Sequence, residues 1–170
     1  MKIVPTSLAV LALSLAVGAA AAQDSRVSVA FAHPDRYADL RLTSVSGDAD
    51  ARALMSELAR FLQEAGARRV PEGQRLEITV TDIDMAGDIE SWRGPGRCDL
   101  RIRKDVYPPR IDLQFRLLGA DGAEARAGTR RLRDSNYLIN AAPVAADHLR
   151  HEKALLLDWL QKELREAAGS

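Results

Sequence analysis

The 170-residue sequence has a single cysteine, Cys98, three histidines and no net charge, with 24 basic against 24 acidic side chains. One cysteine excludes an intramolecular disulfide, so the fold must be held by packing. Charge balance removes the electrostatic reason to expect nucleic acid or an anionic membrane as partner. Serine nucleophile elbows, P-loops and G-x-G-x-x-G are absent, as are internal repeats and low-complexity tracts. His148, His151 and Glu152 have helical spacing that would suit zinc, but H-L-R-H-E is not H-E-x-x-H and no further ligand follows from spacing, so a polar helix edge is the plainer reading. Cys98 lies among Arg97, Arg101 and Arg103, which would favour its thiolate, but no histidine partner is implied. No cofactor is expected.

What is present begins at the N-terminus. Lys2 precedes an uncharged stretch, Ile3 to Ala22, that ends in three alanines. This pattern reads as a secretory signal peptide cleaved after Ala22. The stretch is short for a membrane span and no cysteine follows it for lipid attachment, so the mature chain is expected to be exported without membrane insertion. Removing residues 1–22 leaves about 148 residues and takes away Lys2, giving 23 basic against 24 acidic groups, a formal charge of −1. That length suits one domain with a core of its own.

The remaining pattern is mixed. Val27, Val29 and Phe31 alternate as a half-buried strand does, up to His33-Pro34-Asp35. From Asp50 the period becomes helical, through Leu54, Leu58, Phe61, Leu62 and Ala65. Asp48 or Asp50 suits the N-cap and Gly66 the C′ position. Leu76, Ile78 and Val80 alternate again, as do Leu100 and Ile102 and then Ile111, Leu113, Phe115 and Leu117. Asp121-Gly122 signals a hairpin that returns through Ala123 to Leu132. A last helix is expected from Val144, after Pro143, with Leu149, Leu156, Trp159, Leu160 and Leu164 on one side. The order β-α-β-β-β-β-α predicts an α+β two-layer sandwich: a mixed, mostly antiparallel sheet of four to five strands, with both helices on one face.

The acids of T-D-I-D-M-A-G-D-I-E, residues 81 to 90, pose the main question. In strict alternation Asp82 and Asp84 would continue the buried face of Leu76, Ile78 and Val80, which is too costly for unpaired carboxylates. A bulge near Thr81 would shift the phase, returning Ile83 and Met85 to the core and turning both acids outward. An EF-hand loop is excluded, because counting from Asp82 the fifth position is Ala86 and the twelfth Arg93. The adjoining segment from Arg93 to Arg110 carries six cations. These either pair with Asp82, Asp84, Asp88 and Glu90 or form an anion-binding patch with Trp92 as a stacking platform. The two prolines of Tyr107-Pro108-Pro109-Arg110 stiffen the approach to the following strand and hold Tyr107 and Arg110 at a fixed separation.

T-D-I-D-M-A-G at 81–87, R-I-R-K-D-V-Y-P-P-R-I at 101–111, R-L-R-D-S-N-Y at 131–137 and L-R-H-E-K-A-L-L-L-D-W-L at 149–160 resemble a family of small exported Gram-negative proteins known only as a domain of unknown function. The resemblance implies a periplasmic address and one domain, and carries no activity. The expected function is a non-enzymatic binding or envelope-accessory domain whose partner is a protein or envelope component. Its binding residues would be Asp82, Asp84, Trp92, Arg101, Arg103, Tyr107 and Arg110. The competing expectation is a metal-dependent hydrolase working through the acids at 82–90.

Overall fold

The structure, a computed structural model, describes residues 26–90, 100–140 and 147–168. Within them the chain forms β1 (Val27–Phe31), α1 (Asp48–Ala67), β2 (Arg75–Asp84), β3 (Asp88–Ile89), β4 (Arg101–Ile102), β5 (Arg110–Leu118), β6 (Glu124–Arg133) and α2 (Arg150–Ala168). The main sheet has the order β1-β2-β5-β6, with β1 parallel to β2 and the other pairs antiparallel. The fold is therefore α+β, with a mixed and mostly antiparallel sheet. One expected strand is reassigned: the segment around Leu100 does not join this sheet. It pairs as β4 with the two-residue β3, an element too short to show a period.

Cross-strand registry explains the core. Leu76 lies opposite Leu117, Ile78 opposite Phe115 and Val80 opposite Leu113, and all six are buried. On the same face of β1, Val27, Val29 and Phe31 stand beside Leu76, Ile78 and Val80. Leu54, Leu58, Leu62 and Ala65 of α1 join one cluster with Leu155, Leu156, Trp159 and Leu160 of α2. Each large apolar side chain so buried contributes roughly 1.5–3 kcal/mol. α1 packs against β1, α2 against β6, and the helices touch each other, so one sheet face is covered.

Three boundaries differ from the sequence reading. Helix α1 starts at Asp48, where the Gly47 N–H donates to the Asp50 carboxylate at 3.1 Å. Gly66 lies inside the last turn, and a Cβ there would stand 2.5 Å from Val27 Cγ2, so close packing rather than a left-handed cap requires glycine. Helix α2 begins at Arg150 rather than Val144, with the Leu149 N–H accepted by Asp147 at 2.8 Å; Pro143 lies outside the described residues.

Strand β6 shows why its alternation is weak in sequence. Its inward positions are Arg126, Gly128, Arg130 and Leu132, facing Leu117, Phe115, Leu113 and Ile111. Arg130 forks onto Glu163 of α2 through two 2.9 Å bonds, and Arg126 reaches Glu163 at 2.8 Å. Arg130 also lies over the Phe115 ring, 5.0 Å from its centroid. A charged seam thus closes the edge of the core where apolar side chains are expected.

Candidate functional site

The carboxyl end of β2 is where acids, arginines and a cleft meet. Registry steps from Val80 opposite Leu113 to Asp82 opposite Asp112, leaving Thr81 as the extra residue of a bulge. Beyond it Ile83 and Met85 are buried, while Asp82 and Asp84 are only half-buried on the outer face. The bulge exchanges two buried carboxylates for two buried apolar side chains, which decides the register.

Each acid then has a defined partner. Asp82 accepts the Ala38 N–H at 2.8 Å, so it secures the loop after β1. Burial of Tyr37, and after it the charge of Asp82, pushes the Tyr37 hydroxyl up to about 12. Asp84 takes a forked contact from Arg110, one bond at 2.9 Å from Nε and a shorter one from Nη2. Asp88 accepts the neighbouring Ile89 N–H at 2.7 Å. Among the described residues no three His, Cys, Asp or Glu side chains converge as a metal-ligand group.

Arg101 does not face Asp82 or Asp84. Its guanidinium is almost wholly buried and pairs with Asp39 at 2.6 Å, while Arg41 reaches the other Asp39 oxygen at 3.1 Å. The same guanidinium donates to the carbonyls of Gly87 at 2.6 Å and Arg41 at 2.6 and 3.0 Å. Asp39 in turn bridges to the end of β2: its N–H donates to Ile83 at 2.9 Å and its carbonyl accepts from Met85 at 3.1 Å. Arg101 is thus a brace that ties β4, the turn at Gly87 and the 39–41 segment together. Gly87 adopts φ +85, and a Cβ there would lie 2.7 Å from the Ile102 carbonyl, so the turn requires glycine.

Behind this brace lies a second, buried polar group. Glu90 is fully buried against the Lys104 ammonium and accepts the Tyr107 hydroxyl at 3.2 Å. Burial and that carboxylate raise the Tyr107 pKa. Glu152, also fully buried, accepts the Ala86 N–H at 2.7 Å, and its other oxygen has no hydrogen-bond partner among the described residues. Burial outweighs its hydrogen bonds and the nearby arginines, so its pKa is raised. His151 stands edge-on to the buried Tyr137 ring at 4.8 Å, and burial together with the charges of Arg150 and Arg103 lowers its pKa to about 4. Arg103 has a buried Nε without a partner among the described residues, and its pKa is lowered by burial first and Arg150 second. Tyr137 donates to the Lys104 carbonyl at 2.8 Å.

The polar helix edge read at His148–Glu152 is therefore corrected. His148 lies 3.6 Å from Glu57, whereas His151 and Glu152 point into the interior. The first turn of α2 meets the residues after β2 and the Tyr137 ring, through the Ala86 N–H on Glu152 and the edge-on contact of His151, and this turns both side chains inward.

A cleft of about 380 Å³ opens on the outer side of the brace. Asp84, Tyr107 and Arg110, all expected as site residues, line it. Asp82, Arg101 and Arg103 do not, and Trp92 and Cys98 lie outside the described residues. Asp39, Arg41, Asp88 and Arg133 complete its charged lining. Asp39 and Arg133 carried no sequence signal as site residues, because neither belongs to the acid run or the arginine-rich segment that borders it. Pairing across the sheet is what brings them in.

Residues 25–162 match the model of the family described as "Protein of unknown function (DUF3016)", and the chain belongs to that family. No curated protein and no solved structure matches it.

Proposed function

We propose that this is an exported binding domain, freed of its leader near Ala22, that engages a periplasmic protein or envelope component through the cleft at the carboxyl end of β2. The observation that carries the reading is the state of the acids. Asp39 is held by Arg101 and Arg41, Asp84 by Arg110, and Asp82 by a backbone N–H. Carboxylates so engaged build a rigid, charge-matched surface and are poorly placed to act as a general base or to recruit a metal. Pro108 and Pro109 stiffen the adjoining wall, which lowers the entropy lost when a partner docks.

Val106 lines the cleft and is largely exposed, so a photo-crosslinking residue at this position tests the reading in living cells. Discrete adducts are expected from position 106 and none from Gly122, in the β5–β6 turn at the opposite end of β5. Identical smears from both positions would overturn it. N-terminal sequencing of the exported protein should begin at Gln23.

A further inference from the structure

The cleft contains an arrangement that ion pairing within the chain does not complete. Arg110 and Arg133 lie directly opposite each other on β5 and β6. Their neighbours Ile111 and Leu132 face the core, so both arginines project from the outer face. Like charges in this cross-strand position are destabilising. Asp84, opposite Arg110 on its other side, neutralises that residue alone.

Two acids beside Arg133, Asp112 across the strand pair and Asp134 next in sequence, have other partners. Asp112 pairs with Arg131 at 3.9 Å. Asp134 accepts the Asn136 N–H at 2.9 Å and the Asn140 side-chain amide at 2.8 Å. Among the described residues Arg133 makes no ion pair, although it is exposed and borders the cleft. Around the opening, three guanidiniums, those of Arg41, Arg110 and Arg133, stand beside three carboxylates, those of Asp39, Asp84 and Asp88, and Asp39 is held in addition by the buried Arg101 behind the cleft.

We infer that Arg133 and Arg110 form an oxyanion subsite that takes one carboxylate or phosphate group of the ligand. The inference rests on the binding reading above and names the chemistry of its ligand. An oxyanion straddling two guanidiniums relieves their mutual repulsion and gains charge-assisted bonds from planar donors suited to it. The Asp84–Arg110 pair fixes one guanidinium in advance, so only Arg133 is ordered on binding. With Asp88 on the same lining, the subsite selects a single anionic group rather than a polyanion.

The test uses the mature protein with sodium phosphate and sodium acetate as probes, each against chloride at equal ionic strength. Phosphate or acetate at ~10 times its dissociation constant should raise Tm by about 4 °C. The larger response of the two identifies the preferred oxyanion. Arg133→Gln should abolish the rise, whereas Arg116→Gln, on the same sheet face but paired with Glu77 and Glu124, should keep it. No saturable rise in the wild type, or an equal rise in Arg133→Gln, would overturn the subsite. The two readings fail separately. Val106 adducts that persist without any phosphate or acetate response remove the subsite and leave the binding domain standing. A response to either anion without adducts does the reverse.

Discussion

Two parts of the same interior contrast sharply. Between the helices and the centre of the sheet, Leu58, Leu62, Ile78, Leu113, Phe115 and Leu156 are buried with apolar neighbours. At the carboxyl end of β2, equal burial encloses Glu90, Glu152 and His151, with Arg101 nearly as deep. The first region is stabilised by area removed from water, which depends little on pH. The second depends on how well each buried charge or dipole is partnered, and it is weakest where a partner is missing, as at the second oxygen of Glu152. Burial alone therefore does not say how a region fails: the apolar part answers to volume and the polar part to protons and geometry.

Four experiments would break or sharpen that contrast. Phe115→Ala, which removes the ring that packs edge-on to Trp159 at 5.8 Å, should cost about 3–5 kcal/mol. Its denaturation midpoint should fall by the same energy at pH 5 and pH 8. Arg101→Gln leaves Asp39 with its exposed partner Arg41 alone and strips donors from the carbonyls of Arg41, Met85 and Gly87, for a loss of about 3 kcal/mol. Here Arg101→Lys should recover only part of the loss, because an ammonium cannot fork; full recovery would show that charge alone is what counts.

The titrating pair gives smaller effects of opposite sign. His151 has a folded pKa of about 4 against an ordinary value of 6.5. Between these the unfolded chain binds the proton and the folded chain does not. The stability that neutral His151 allows is complete above 6.5 and is lost as pH falls toward 4, by up to roughly 2–3 kcal/mol. Glu152 runs the other way, since its folded pKa is raised and ionising it inside the fold costs stability as pH climbs past its ordinary value of 4.5. Glu152→Gln should therefore raise stability relative to wild type more at pH 8 than at pH 5, measured by urea midpoints. A loss equal at both pH values would mean that the carboxylate is ionised and held by its arginine neighbours. Smallest of all, Arg116→Gln on the exposed sheet face should leave the midpoint unchanged within error, because its two acid partners are solvated.

Local chemistry made much of this legible. The bulge at Thr81 follows from two facts in the sequence: the acids would otherwise be buried, and Ile83 and Met85 would otherwise be exposed. The Asp121-Gly122 turn is a matter of local backbone, with Gly122 at φ +79. The ion pair of Asp84 with Arg110 and that of Glu90 with Lys104 follow the expected joining of the acid run to its basic neighbour. Arg101 departs from that expectation because its partner, Asp39, lies 62 positions away and reaches it only through the isolated bridge of Asp39 to the end of β2. Glu152 was misread because H-L-R-H-E gives spacing along a helix but not the side on which the helix is covered. The resemblance in motifs reached as far as the family and stopped there, as the family carries no activity.

By itself the sequence determined the four strands of the main sheet and the two helices, where the phase of β2 must slip, and that no intramolecular disulfide is available to hold them. These are local matters: alternation, helical period, turn chemistry and the cost of burying a carboxylate act within a few residues. Only the tertiary structure decided that Asp39 meets Arg101, that Glu152 and His151 turn inward, and that Arg133 stands opposite Arg110 on the neighbouring strand at the edge of the cleft. Those pairings join residues far apart in the chain, and their energies depend on burial and direction, which exist only once the sheet has closed under its helices.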